Sequence, residues 1–141
     1  LIYKFMVKKR IITKLMLALS AMLLFFACSK DQNFNYPMDD LYGKWKGSAV
    51  KVDNGWVDIT SPFFSKFAFS ITFYSDGKYY GEGYFGTGWG TYKAIENTIY
   101  TYVDGKEYYK YDVKSWTGKY AELTMSTSSG NSSLDIRVEK Q

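Results

Sequence analysis

The chain has 141 residues, of which 46% are hydrophobic and 20% aromatic, with 18 basic and 14 acidic side chains, no His and one Cys. This length suits one domain, and the missing His excludes Ser-His-Asp triads, Cys-His dyads and the usual His-containing zinc sites. Five basic and no acidic side chains fall in residues 1–27, which leaves 13 basic and 14 acidic side chains in residues 28–141. Because the part expected to fold is nearly neutral, we expect no nucleic-acid partner.

Residues 1–27 have the pattern of an export signal. A basic segment that ends in Lys8, Lys9, Arg10 and Lys14 precedes an apolar run of 13 residues, from Leu15 to Ala27. A basic region followed by about 7–15 apolar residues is typical of a secretory signal peptide. A membrane-spanning helix needs ~20 apolar residues. We therefore predict that residues 1–27 are a signal peptide.

The residues around the single Cys resemble a lipid attachment site. The sequence Phe25-Phe26-Ala27-Cys28 resembles the lipobox of bacterial lipoproteins, in which a small residue precedes an obligatory Cys. The resemblance implies cleavage before Cys28, a diacylglycerol on its thiol and acylation of its amine, with acyl chains such as palmitate. Several acyl chains together make a stable membrane anchor. Residues 28–40 are polar and are predicted to form the lipidated tether of an outer-membrane protein in the bacterial cell envelope.

The remaining residues, 41–141, have the pattern of an antiparallel sheet. Turn signals such as Asp53-Asn54-Gly55 and Asp104-Gly105 separate short runs rich in β-branched and aromatic residues. Eight short strands joined by hairpins favour a sandwich or a meandering barrel with little helix. We place these strands at 42–52, 66–74, 78–85, 89–95, 98–103, 106–115, 120–126 and 132–139.

Alternation and turn chemistry predict which side chains face the core. A three-residue loop at 75–77 pairs Phe73 with Tyr79 and leaves Glu82 in solvent, whereas a two-residue loop would bury this carboxylate at a cost of several kcal/mol. The same reasoning predicts a three-residue loop at 103–105, and Glu96-Asn97 is predicted as a two-residue turn. The predicted inward face then carries six aromatic side chains of interest: Phe69, Phe73, Tyr79, Tyr92, Tyr109 and Tyr111.

The start of this domain resembles a known family. Leu41-Tyr42-Gly43-Lys44-Trp45 resembles the G-x-W signature of lipocalins, and residues 73–79 with 90–92 and 97–99 are similar to bacterial lipocalin-like lipoproteins. The resemblance implies an all-β, eight-stranded antiparallel up-and-down barrel over residues 41–141. It also implies that Gly43 and Trp45 are structural, with Trp45 packed across the closed end of the barrel and Arg137 stacked on its ring.

Two functions fit this inward face. Aromatic rings with a few polar groups are typical of small-molecule pockets, so we predict non-catalytic binding of a small apolar or amphipathic molecule in a cavity of ~300 Å³ or more. The six inward aromatic residues are the predicted ligand contacts. The alternative is an envelope structural or protein-interaction module with a filled core and exposed aromatic side chains, namely Tyr74, Trp89, Tyr100 and Tyr102. Because no pair of inward carboxylates is predicted, we expect no catalysis, no cofactor and no metal.

Overall fold

One antiparallel sheet of nine strands dominates the computed structural model, which describes residues 33–141. The predicted signal peptide and Cys28 lie outside the described residues. The strands are β1 (Gly43–Val52), β2 (Gly55–Asp58), β3 (Phe69–Phe73), β4 (Lys78–Gly83), β5 (Gly88–Ile95), β6 (Thr98–Val103), β7 (Lys106–Trp116), β8 (Tyr120–Thr127) and β9 (Ser133–Lys140). A four-residue helix, α1 (Met38–Leu41), precedes β1.

The sheet closes on itself as a barrel. Its strands follow the order β2-β1-β3-β4-β5-β6-β7-β8-β9, and β1 also pairs with β9. Eight strands, β1 and β3–β9, therefore form the closed barrel, and β2 is an additional strand paired with the second half of β1. The predicted all-β, eight-stranded antiparallel barrel is confirmed. Among residues 33–141, neither helix has the length and apolar character of a membrane span.

The segment between β1 and β3 differs from the prediction. The sequence did not predict β2, which pairs with β1 after a two-residue turn at Asp53 and Asn54. Residues 66–68 are also not strand, because Pro62–Phe67 form a 3₁₀ helix. The hydroxyl of Ser61 accepts a hydrogen bond from the Phe63 amide, and proline stands in the first turn of this helix. Both features favour a helix start over a strand.

The predicted registers are confirmed at two turns. Phe73 pairs with Tyr79, Gly77 has a φ of 88° in the turn, and Glu82 is exposed. Ile95 pairs with Thr98 across the predicted two-residue turn. The cost of burying an unpaired carboxylate therefore identified the correct loop length before Glu82.

The predicted loop at 103–105 is wrong, although the predicted face is right. Val103 pairs with Lys106, so the turn contains only Asp104 and Gly105. A β-bulge then shifts the register next to Thr101, and beyond it Ile99 pairs with Tyr111, whereas the predicted loop would have paired Ile99 with Tyr109 on the same face. A two-residue turn and a bulge together have the same effect on side-chain direction as a three-residue loop.

The closed end of the barrel is built around Trp45. This side chain is 3% exposed, and its indole Nε1 donates to the Leu41 carbonyl at 2.9 Å. The Trp45 and Trp116 ring centroids are 4.9 Å apart. Phe34 and Tyr36 pack on Trp116, so residues 33–41, mostly assigned above to the tether, cover this end.

The cation that lies over the Trp45 ring is not Arg137, the residue that the resemblance implies. Arg137 lies with its Cζ 3.8 Å from the centroid of the Trp56 ring. Lys140 instead reaches the Trp45 ring, with its Nζ 5.9 Å from the centroid, and donates to the Asp40 carbonyl at 2.7 Å. The expected Arg137–Trp45 stack is therefore wrong, because the β9–β1 pairing aligns Lys140, not Arg137, with Trp45.

Candidate ligand-binding cleft

A cleft of about 230 Å³ lies at the end of the barrel opposite Trp45. It is bordered by the start of β3, the β4–β5 hairpin, the end of β6 and the start of β7. Seven aromatic side chains line it: Phe69, Tyr79, Phe85, Trp89, Tyr108, Tyr109 and Tyr111. The cleft is smaller than the ~300 Å³ expected of a drug-sized ligand site. It is larger than the ~150 Å³ engineered cavity that binds benzene in another protein, so it has room for a ligand of about one or two rings.

Glycines on the inward face of β4 and β5 create this space. Gly81 pairs with Gly88, and Gly90 pairs with Tyr79, so three neighbouring inward positions carry no side chain. A Cβ at Gly90 would lie 2.5 Å from Cε1 of Tyr79, which shows that glycine is needed for the Tyr79 ring to approach β5. A Cβ at Gly81 would make only ordinary contacts, at 3.6 Å or more. A side chain at position 81 would therefore extend into the cleft.

The structure brings together four of the six predicted ligand contacts. Phe69, Tyr79, Tyr109 and Tyr111 line the cleft. Phe73 lines a separate void of only about 20 Å³ beside Trp45 and Trp116, at the closed end. Tyr92 packs on Phe73, with ring centroids 4.9 Å apart, and its hydroxyl donates to the Tyr74 carbonyl at 2.7 Å. Phe73 and Tyr92 thus belong to the core beneath the cleft.

Sequence reasoning did not place three of the lining residues at the site. Phe85 lies in the loop between β4 and β5, beyond the observed end of the strand that was predicted to reach residue 85. Its carbonyl accepts a hydrogen bond from the Tyr108 hydroxyl at 2.9 Å, which joins this loop to β7. Trp89 was expected on the outer surface, and it is 60% exposed, but it also borders the cleft. The glycines on both sides of Trp89 are the sequence signal that an opening was near.

Tyr79, Tyr109 and Tyr111 of the cleft are neutral at physiological pH, because each has a raised pKa. Burial raises the pKa of Tyr111 far above its ordinary value, and the nearby Tyr79 and Tyr109 hydroxyls raise it further. Burial also raises the pKa of Tyr79, against a smaller opposing effect of a hydrogen bond with Thr101. For Tyr109, burial is again the main cause of a raised pKa. The cleft therefore offers uncharged hydroxyl groups that can donate and accept hydrogen bonds.

Charge is scarce in the cleft. Among its lining residues Glu82 is the one charged residue, with its side chain on the outward face, and no Lys or Arg borders the cleft. Over residues 33–141, no group of three or more acidic, Cys or His side chains is placed to hold a metal ion. Comparison with protein-family models, with curated proteins and with solved structures finds no match to this chain.

Proposed function

We propose that this protein is a membrane-anchored, lipocalin-like lipoprotein whose barrel binds a small amphipathic molecule without catalysis. The observation that carries the proposal is the row of inward glycines beside seven aromatic side chains, which leaves a cleft at one end of the barrel. The other end is packed, with a void of only about 20 Å³. Aromatic walls with a few hydroxyl groups are the usual chemistry of small-molecule sites.

The position of the tether supports this arrangement. Asn35 donates its backbone N–H to the Glu96 carbonyl at 2.7 Å, and α1 follows directly, so the chain joins the barrel at the closed end. The proposed lipidated residue, Cys28, precedes Asn33 by five positions, which span at most ~17 Å when extended. An anchor at Cys28 would therefore hold the closed end near the membrane and leave the cleft open on the other side.

The glycine at position 81 offers a direct test of the cleft. We expect Gly81→Val to fill the cleft and abolish ligand binding, because its side chain would extend into the space beside Tyr79. The matched control is Gly55→Val, at a second strand glycine where a Cβ would lie 3.6 Å from its nearest neighbour and which does not line the cleft. Circular dichroism of both variants verifies that the sheet is retained.

The readout is native mass spectrometry of each protein purified from its own envelope. The wild-type chain and Gly55→Val should carry a small molecule, and Gly81→Val should not. If nothing co-purifies with the wild-type chain, or if Gly81→Val carries the same molecule, the ligand-binding function is wrong.

The anchor is tested at Cys28. Wild-type protein extracted from membranes should begin at an acylated Cys28, as measured by mass spectrometry, and Cys28→Ala should be recovered in the soluble fraction. The reason is that only a thiol accepts the diacylglycerol that this attachment requires. Ser29→Ala is the neighbouring control and should stay in the membrane fraction. An unmodified Cys28 in the membrane-extracted protein would contradict the lipoprotein assignment.

A second candidate function has one observation in its favour. Trp89 is 60% exposed and stacks on Tyr74, with ring centroids 5.5 Å apart, while the Tyr80 ring lies 5.0 Å away. Exposed aromatic side chains grouped in this way are enriched at protein interfaces. Gly81→Val replaces none of these rings. If this variant still performs the protein's function in the cell, the result would favour an envelope interaction module.

A further inference from the structure

The chemistry of the cleft narrows the class of ligand. We infer that the cleft prefers a small organic cation, such as a quaternary ammonium or a protonated amine, over a neutral or anionic molecule of the same shape. This inference rests on the proposed ligand-binding function. It follows from three properties of the lining residues, namely their rings, their lack of a cationic side chain and their neutral hydroxyls.

The rings surround the cleft from several directions. Phe85 meets Phe69 edge-to-face, with centroids 4.9 Å apart, and meets Tyr109 in the same way at 6.3 Å. Tyr108 and Tyr109 are 4.5 Å apart at a steep angle. The faces of aromatic rings carry partial negative charge, and a cation within about 6 Å of several such faces is attracted by all of them. Rings at steep angles to one another, like these, are suited to present their faces to a ligand from several sides.

No cationic side chain opposes such a ligand. Glu82 borders the cleft, but it pairs with Ser70 on the outward face of the sheet, and its side chain is exposed. It also borders a neighbouring surface groove that contains Lys44, Lys46 and Lys66, and none of these lysines lines the cleft. A ligand in the cleft therefore meets aromatic rings and no positive charge. An anionic ligand would find no charged partner there.

The hydroxyl groups do not oppose a cation. The Tyr79 and Tyr111 phenols are neutral, and burial raises the pKa of both. Their oxygens can accept hydrogen bonds from an amine without adding a positive charge of their own. The volume of about 230 Å³ also suits a group of the size of a trimethylammonium, with space for a short substituent.

Three probes of nearly equal shape test this preference. Choline is the cation, 3,3-dimethylbutan-1-ol is its neutral carbon isostere, and 3,3-dimethylbutanoate is the anion. Each is titrated into the full-length protein in a non-ionic detergent, with isothermal calorimetry and ligand-observed NMR as readouts. We expect choline to bind roughly tenfold more tightly than the neutral isostere, and the anion to bind most weakly, because interaction with ring faces requires positive charge.

Two variants connect that preference to its cause. Phe85→Leu, which removes one ring of the cleft but keeps an apolar side chain, should weaken choline binding several-fold and leave the neutral isostere nearly unchanged, whereas Phe63→Leu, at an exposed ring outside the cleft lining, should change neither. Equal binding of choline and its neutral isostere would overturn the inference but not the ligand-binding function. If no probe binds and Gly81→Val still loses the co-purifying molecule, only the cation preference is wrong. If no probe binds and no molecule co-purifies, both proposals are wrong.

Discussion

Replacement of Trp45 by Ala is expected to lower the free energy of unfolding by ~3–5 kcal/mol, the range measured when large buried aromatic side chains are truncated. Trp45 is 3% exposed and donates its indole N–H to the Leu41 carbonyl. Its removal leaves a cavity and also takes away the ring against which Trp116 packs. Urea unfolding followed by circular dichroism measures the change.

Trp89 is the control for that experiment. Its ring is 60% exposed, so Trp89→Ala should cost less than about 1 kcal/mol in unfolding free energy. Equal losses in the two variants would show that the closed end does not depend on Trp45. A further expectation separates stability from function: Trp45→Ala, in its folded fraction, should keep the cleft, because Trp45 does not line it.

The parts of the fold that sequence predicted are those where one physical cost is decisive. The register before Glu82 followed from the penalty for burying a carboxylate, and the turn at Glu96 followed from strand alternation on both sides. Neither argument predicts β2, which has only four residues and pairs along one edge of β1. The predicted strand began at residue 66 because Phe67 and Phe69 alternate with smaller side chains, and only the Ser61-Pro62 start indicates that a 3₁₀ helix continues to Phe67.

The sequence predicted only part of the cleft, and the reason is related. Alternation states that Phe69, Phe73, Tyr79 and Tyr92 point inward, but it does not state at which height in the barrel each of them lies. Height depends on the pairing of all eight strands and on the bulge in β7, which no local pattern specifies. Phe73 and Tyr92 therefore looked equivalent to Phe69 and Tyr79, although they pack at the other end.

The hydroxyl group of Thr101 stabilises the bulge in β7. Thr101 is 1% exposed, and its Oγ1 donates to the Tyr109 carbonyl at 2.6 Å and accepts from the Tyr109 amide at 3.1 Å. One side chain thus bonds both backbone groups of the residue at the bulge. The adjacent Tyr108 and Tyr109 side chains both line the cleft, so this hydroxyl also fixes one of its walls.

Thr101→Val is therefore expected to damage stability and binding together. Valine has nearly the same shape but leaves two backbone groups of Tyr109 without their partner, at about 1–3 kcal/mol each, so we expect a loss of ~2–6 kcal/mol in unfolding free energy. Thr101→Ser keeps the hydroxyl and should lose only about 1 kcal/mol for the missing methyl group while it retains ligand binding. Urea unfolding and native mass spectrometry provide the two measurements.

Thr124→Val makes the same chemical change at a site where water can replace the lost group. The Thr124 hydroxyl donates to the Asp135 carboxylate at 2.6 Å, across β8 and β9, and both side chains are only partly buried. Because solvent can hydrate this carboxylate, we expect a loss below about 1 kcal/mol and unchanged binding. If Thr101→Val behaves like Thr124→Val, strand pairing alone maintains the bulge. If only Thr101→Val loses both stability and ligand, the Thr101 hydroxyl sets the register that places Tyr108 and Tyr109 at the cleft.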